Sequence, residues 1–323
     1  MIDQLIQQAL DCWELIYPGV PQPIQLDCIL QSRSQIIVFH FATDQRNNMP
    51  VLISKISRSE DMNPSLERSV NLLQQLRHKL SPRLLDTIPT AVIAGQVERL
   101  SHVVMNPVPG HLMLIPGIDR KTPHVVQLHI NAFSSWLLDF QSQTSVGYHS
   151  WNKFAWEEYF KKWLGEDFLY EANEGKSSNW HDIICTNLSD VPIPLAWCYG
   201  DAHHSNLLLD NYRISGVVDW VGTRSEDFVF HDWYYFLFLY AVEFFKKNYG
   251  QEDDERAIQA IDTIMGVTEN QLSKNFKQEN IRFLQHHQLE PNLNSSLFIS
   301  FLSKLYWPNN KQKLIQHAIS NTL

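Results

Sequence analysis

Cysteine is scarce in this sequence, and no two cysteines stand close together. Cys12, Cys28, Cys185 and Cys198 form no CxxC pair, so neither a zinc knuckle nor a disulfide framework is expected. Basic charge is also short. Lys and Arg number 26 against 35 Asp and Glu, a formal net charge of −9. Nucleic-acid binders usually carry a basic excess, so nucleic acid is not an expected partner. An acidic surface better suits a cationic or neutral small substrate. No run of 18 apolar residues occurs. WYYFLFLYAVEFF, at 233–245, is interrupted by Glu243 and is too short to span a bilayer. The opening MIDQLIQQALDCWELIYPG lacks a basic region followed by a long apolar one, so no signal peptide is expected. Internal repeats and low-complexity tracts are missing too. These absences lead to the expectation of a cytoplasmic protein with no membrane partner. They leave the oligomeric state unknown. What remains is a chain of 323 residues with 44% hydrophobic content, long enough to bury a sizeable core in one large domain or two lobes.

Along the chain, residues 3–16 read as a short amphipathic helix. PIQLDCIL (23–30), QIIVFHFA (35–42) and VLISKIS (51–57) read as strands, with TDQRNNMP as a turn. Three strands with short connections predict an antiparallel meander. NPSLERSVNLLQQLRHKL (63–80) predicts a helix, with Asn63 as N-cap, Pro64 at the first helical position, and Leu66, Val70, Leu73 and Leu80 as its apolar stripe. AVIAGQVERLSHVVMNPVPG offers two more strands around a turn at Gly95. After Gly110 long amphipathic segments take over, near 122–142, 152–172, 232–249, 253–264, 269–287 and 295–318.

The stretch WCYGDAHHSNLLLDNYRISGVVDW (197–220) carries the chemistry. It sets Asp201, Asn206 and Asp219 among apolar runs. NLLLDNYRISGVVDW reads as a hairpin turning at Asp210-Asn211, which brings Asn206 and Asp219 side by side at its open end, with Asp201 on the entering loop. Two carboxylates and an amide oxygen suit a hard cation such as Mg²⁺. A carboxylate left off the metal can take a proton from an attacking hydroxyl. Asx turns alone would also place Asp and Asn in such a loop. His203 and His204 are adjacent and lack a third ligand, so zinc is not expected there. His231 is expected to be a packed or capping residue, and the aromatic run 233–240 helix core.

Asp201-x₄-Asn206 has the spacing of the kinase catalytic loop. YGDAHHSNLLLD…ISGVVDW resembles the HGDxHxxNxLxD…xxxIDW of the aminoglycoside phosphotransferase and choline kinase family, in which Trp or Phe follows the second acid. The resemblance implies an α+β, two-lobed protein-kinase-like fold. A small antiparallel-sheet N-lobe, residues 1–105, would bind nucleotide. A larger, mainly helical C-lobe, 106–323, would hold the catalytic loop, the metal site and the substrate-binding helices, with the linker near 106–110. It implies ATP and Mg²⁺ as cofactors, Asp201 as catalytic base, and Asn206 and Asp219 as metal ligands. Asp232, in EDFVFHDWYYFL, matches an Asp that braces the loop. Kinases place a phosphate-binding Lys on the third strand, and Lys55 stands there. By period two, Val51, Ile53 and Lys55 share one strand face, which would lay Ile53 over the adenine. Glu67, on the following helix, is the expected partner of Lys55. VVMNPVPGHLM (103–113), with Met105, resembles the linker whose backbone meets the adenine edge. Residues 24–235 follow the family's order; 250–323 match nothing beyond helical character.

Two departures are visible. Tyr199 stands where the family usually has His, and the first strand turn, QSRSQ, has no glycine. The function implied is an ATP-dependent small-molecule kinase that transfers the γ-phosphoryl group to a hydroxyl of a small acceptor (aminoglycoside, amino alcohol or sugar-like). The alternatives are a pseudokinase that binds nucleotide or a protein partner without transfer, and a metal-dependent hydrolase using His203 and His204. Glu226, Asp227 and Glu243 are candidate acceptor-binding carboxylates, with nothing in the sequence to select among them.

Overall fold

Runs rich in Ile, Val and Phe build the first sheet, because branched and aromatic side chains pack well on a pleated surface. The computed structural model describes residues 24–31, 35–42, 50–119, 121–165, 180–250, 253–307 and 311–321, with Gln7, Leu10, Asp11 and Trp13. Most of the expected first helix, the turn at 43–49 and Ser32–Ser34 lie outside the described residues; Gln7, Leu10, Asp11 and Trp13 are helical. Strands β1 (Ile24–Gln31), β2 (Gln35–Ala42) and β3 (Leu52–Ser57) form the expected antiparallel meander. β4 (Thr90–Val97) and β5 (Leu100–Asn106) complete a five-stranded sheet ordered β1-β2-β3-β5-β4, and a short strand β6 (His111–Leu112) follows.

Several local expectations shift. Gly95 is not the turn between β4 and β5. It lies inside β4, opposite His102, and the turn is Glu98-Arg99, both at positive φ. That is the pattern of a two-residue type I′ hairpin. Helix α1 runs Asn63–Leu76 with Pro64 in its first turn, and buries Leu66, Val70, Leu73 and Leu76. Asn63 does not cap it. Its side chain instead donates to Arg99 O and accepts from Ser101 N, each at 2.8 Å. This ties the helix start to the β4–β5 turn. Val51 precedes β3 and joins Trp13, Leu52 and Val104 on one side of the sheet. Ile53 joins Leu66, Val70, Val103 and Met105. Val51 and Ile53 therefore do not share a face.

The chain divides into two units. The smaller comprises residues 1–111, 208–210 and 215–223, and the larger 112–207, 211–214 and 224–323. The larger unit contains helices α2 (Thr122–Gln143), α3 (Lys153–Leu164), α4 (Trp180–Leu188), α5 (Phe230–Tyr249), α6 (Asp253–Met265), α7 (Gln271–His286), α8 (Asn294–Lys304) and α9 (Lys311–Ser320). The segment read as one stretch at 295–318 is thus two helices. The C-terminal part of the segment at 152–172 lies outside the described residues. A sheet that the helical periodicities concealed also lies here, from β7 (Ser145–Ser150), β8 (Pro192–Cys198) and β11 (Arg224–Phe228), in the order β11-β8-β7. α5 is the core helix: Trp233, Tyr234, Phe236, Leu237, Phe238 and Tyr240 are inaccessible. Its rings stack outward, Phe236 on Phe133 at 4.1 Å and Trp233 on Phe283 at 4.9 Å. Gly250, in the left-handed region, ends it.

Each unit buries a neutral histidine. His40 Nε2 lies 2.8 Å from Ser54 Oγ, and His129 Nδ1 lies 2.9 Å from Tyr240 OH. Burial lowers both pKa values to about 4. A histidine depressed in the fold but ordinary when unfolded keeps its stabilising effect above about pH 6.5 and loses it as pH falls toward 4. We expect each to cost about 2 kcal/mol at pH 5 relative to neutral pH. Denaturant midpoints at pH 7.5 and 5.0 measure this; equal midpoints would show that neither histidine is held neutral by the fold.

Candidate active site

In the larger unit the centre grows from β8 and the start of α5. β8 delivers the chain to Tyr199 and Gly200, whose φ of +86° favours glycine. Asp232, in the first turn of α5, catches this bend. Its carboxylate accepts from Tyr199 N at 2.6 Å, Gly200 N at 2.8 Å and Cys198 Sγ at 3.1 Å. Burial raises the Asp232 pKa, against the pull of the Gly200 amide, the Cys198 thiol and the Tyr199 amide. Asp232 therefore braces the loop, as its sequence position implies.

Asp201 follows directly. Its Oδ2 accepts from Asn206 Nδ2 at 2.8 Å and its Oδ1 from Tyr235 OH at 3.2 Å. Asp201 and Asn206, predicted together, are brought together by the tight turn at His204–Asn206. Tyr235 is concealed in the aromatic run. Helical geometry puts it three residues beyond Asp232, on the same side of α5, so one helix braces the loop and touches the carboxylate. Burial, then the Asp201 charge, raises the Tyr235 pKa, so the phenol stays protonated and donates. Asn206 Oδ1 accepts nothing from a described residue.

His203 and His204 form no metal centre in the described residues, where no group of three or more His, Cys, Asp or Glu is placed to hold an ion. Their rings lie 4.1 Å apart, and His203 Nδ1 accepts from Ser205 N. His231 is buried, 2.5 Å from Asp227 Oδ1. Tyr199 is fully buried.

In the smaller unit, Lys55 and Asp219 meet. Lys55 Nζ lies 3.6 Å from Asp219 Oδ1, with the lysine side chain 12% exposed. Among the described residues the ion-pair partner of Lys55 is thus Asp219 and not Glu67. Glu67 is exposed on α1, and its Oε1 accepts from Ser101 Oγ at 2.6 Å. The β5 serine satisfies the carboxylate that the sequence assigned to Lys55. Ile53 pairs with Met105 across β3 and β5, beside Lys55 paired with Val103. Met105 is buried.

Asp219 follows β10 (Arg213–Val217), which turns back from β9 (Leu207–Asp210). The turn is Asn211-Tyr212, both at positive φ, one residue beyond the expected position. β9 ends at Asp210 and its sheet neighbour β10 begins at Arg213, so two positive-φ residues join them, the pattern of a type I′ loop. Asp219 is itself left-handed, φ 64° and ψ 67°. Trp220 anchors this bend through Nε1 to Val217 O at 2.8 Å, and Val217 N donates to Thr87 O at 2.8 Å. Pro109 O accepts from Ser215 Oγ at 2.8 Å, so the segment after β5 is tied to β10. Asp219 Oδ1 is closed to solvent and accepts no hydrogen bond among the described residues. An orphaned carboxylate oxygen facing a lysine fits a hard divalent cation, as does the amide oxygen of Asn206.

The sequence profile of the phosphotransferase enzyme family matches residues 38–260. The chain belongs to that family. No curated protein matches the chain. Solved structures do resemble it. One, from Ralstonia eutropha JMP134 and assigned to the aminoglycoside phosphotransferases, superposes with a TM-score of 0.54 at 10% identity, covering 98% of both chains. Another is a thermostable mutant of the aminoglycoside phosphotransferase APH(4)-Ia in ternary complex with ADP and hygromycin B. It gives a TM-score of 0.51 at 12% identity, covering 96% of this chain and 97% of that one. At such identities the likeness establishes the fold, α+β and protein-kinase-like. The protein is a phosphotransferase of this family.

Proposed function

We propose that the protein is an ATP-dependent kinase of a small hydroxyl compound, with Asp201 as its base. The observation that carries this reading is the Asp201 carboxylate, fixed by Asn206 and Tyr235 on a loop that Asp232 braces. Asp201 accepts the proton of the acceptor hydroxyl as its oxygen bonds to the γ-phosphorus. The bond from that phosphorus to the bridging oxygen breaks, and ADP leaves. Lys55 neutralises phosphate charge, and Ile53 and Met105 provide an apolar surface for the adenine. Asn206 and Asp219 would be the ligands for Mg²⁺, which when bound would neutralise charge on the transferring phosphates. Glu67, taken up by Ser101 of β5, is a structural contact and not part of the nucleotide site on this reading. Phosphoryl transfer relies mostly on positioning and electrostatics, which suits a centre held by backbone braces. The buried Tyr199 is compatible with this reading, because its amide serves the brace whatever its ring.

Melting curves with ATP, with and without Mg²⁺, and ADP release across hydroxyl acceptors test the reading. We expect a shift that needs Mg²⁺ and ADP formed only with an acceptor. Binding without ADP from any acceptor would favour the pseudokinase instead.

A further inference from the structure

The tail at 250–323 carries no motif, yet it sends a side chain towards the braced loop. Lys304 is the last residue of α8. Its Nζ lies 2.7 Å from Asp227 Oδ2, and Arg224 Nε lies 2.6 Å from the same oxygen. Asp227 Oδ1 is met by His231 Nδ1 at 2.5 Å and by Phe228 N at 2.9 Å. Asp227, a candidate acceptor-binding carboxylate by sequence, is thereby spent within the protein.

From Asp227 the contacts continue to the loop. Arg224 Nη2 donates to Cys198 Sγ at 3.1 Å, and Cys198 Sγ donates to Asp232 Oδ1 at 3.1 Å. Burial raises the Cys198 pKa, so the thiol keeps the proton it donates. Asp232 in turn accepts from the amides of Tyr199 and Gly200. One line of contacts thus runs from α8 through Asp227, Arg224, Cys198 and Asp232 to the two residues before Asp201.

The charges along this line balance. Arg224 and Lys304 face Asp227 and Asp232, two cations for two carboxylates. His231 adds no charge near pH 7, because burial lowers its pKa to about 4 against the pull of Asp227. Asp227 and Asp232 are both buried, and a buried carboxylate without a cation is costly. Arg224 is the cation they share. It touches Asp227, and its charge favours the ionised form of Asp232. Without Lys304, one guanidinium would serve two buried anions. Burial already raises the Asp232 pKa, and a neutral carboxyl is a weaker acceptor for two amides and a thiol.

We propose that Lys304 is a positioning residue of the active centre: by taking up Asp227 it leaves Arg224 to serve Asp232, and so fixes the loop that carries Asp201. The helical tail then serves the chemistry as well as the core. The bracing stands on the geometry alone; its effect on turnover rests on the kinase reading above. Lys304 also lines a cavity of about 260 Å³ with Arg224, Asp232 and Tyr235, so direct contact with the acceptor is the rival role.

Amide hydrogen exchange on the full chain reads the brace at Tyr199 and Gly200 without nucleotide or acceptor. Lys304→Met keeps a long apolar stem and deletes the charge. Its two loop amides should exchange at least about tenfold faster than the parent's, as expected for a weakened hydrogen bond to a charged group. That factor should exceed any change at Leu237, a fully buried residue of α5 whose amide reports global opening. Lys304→Arg keeps the charge and should keep the parent's protection; Lys304→Gln serves if Lys304→Met does not fold. Equal acceleration at Leu237 and at the loop, or none at the loop, would overturn the inference. In turnover, ethanolamine, ribose and hygromycin B are the probe acceptors, with ADP release measured at saturating Mg·ATP. With any probe that the parent turns over, Lys304→Met should lower kcat about tenfold and leave both KM values unchanged. A rise in the acceptor KM alone would make Lys304 a binding residue and overturn the positioning role. No Mg·ATP melting shift in the parent and no ADP from any probe would defeat the kinase reading, and the exchange result would still decide the brace.

Discussion

Asp201→Asn is expected to leave nucleotide binding intact and to slow phosphoryl transfer by about two to four decades. The substitution keeps the side-chain volume, and the new amide oxygen can still accept from Tyr235 OH, now 3.2 Å from Asp201 Oδ1. It also keeps the brace, because Asp232 holds Tyr199 and Gly200 through their amides and not through residue 201. What it removes is the ability to take a proton from a hydroxyl. The loss should therefore appear in kcat, with the Mg·ATP melting shift unchanged. The introduced amide nitrogen would also face the Asn206 Nδ2 that now donates at 2.8 Å, so a modest local rearrangement is expected. A melting temperature within a few degrees of the parent separates that from a loss of fold. Single-turnover rates on saturated enzyme give the decisive reading: a rate close to that of the parent would take Asp201 out of the chemistry.

Asp219→Asn is expected to abolish the Mg²⁺ dependence of ATP binding. Among the described residues, Asp219 Oδ1 has nothing to satisfy it but Lys55, at 3.6 Å. Neutralising it removes the hard anionic ligand on which cation binding depends. Isothermal titration with ATP, with and without Mg²⁺, should give affinities in the parent that differ and in the variant that converge. Lys55→Met should weaken ATP under both conditions, since the lysine acts on phosphate directly. The two side chains touch, so the double variant is expected to deviate from the sum of the singles. Glu67→Gln is the internal contrast. Its carboxylate is exposed and occupied by Ser101, so it should change stability by less than about 0.5 kcal/mol and leave ATP affinity alone. A large loss of affinity in Glu67→Gln, with none in Asp219→Asn, would restore the original pairing and reject the one seen in the structure.

The features legible in the sequence are those with short-range causes. β2 is bounded correctly at 35–42 because its apolar run is flanked by polar residues. The Asp201-to-Asn206 relation is legible because five residues span one tight turn. Turns are placed less well. Glu98-Arg99 and Asn211-Tyr212 take positive φ without glycine, and the glycine that suggests a turn, Gly95, sits inside a strand. The partner of Lys55 is not legible, since a helix residue 12 positions on and a hairpin residue 164 positions on are equally acidic. Only the fold decides which carboxylate the lysine reaches. Tyr235 is hidden for the opposite reason: its neighbours on α5 are true core, and a uniform aromatic run gives no periodicity by which to single out the residue that faces the loop. Lys304 lies in a tail that offers no motif at all.

Asp219 follows Lys55 by 164 residues, and the segment that completes the smaller unit, 215–223, is made long after residue 111. At about 5–20 residues per second of synthesis, Lys55 leaves the ribosome roughly 8–30 seconds before its counter-charge. Over that interval the lysine has no Asp219 carboxylate to meet. A fragment ending at residue 111 would carry the same deficit permanently. The smaller unit is therefore finished only after much of the larger one has been translated, and a chain truncated between the two is not a shorter version of this protein.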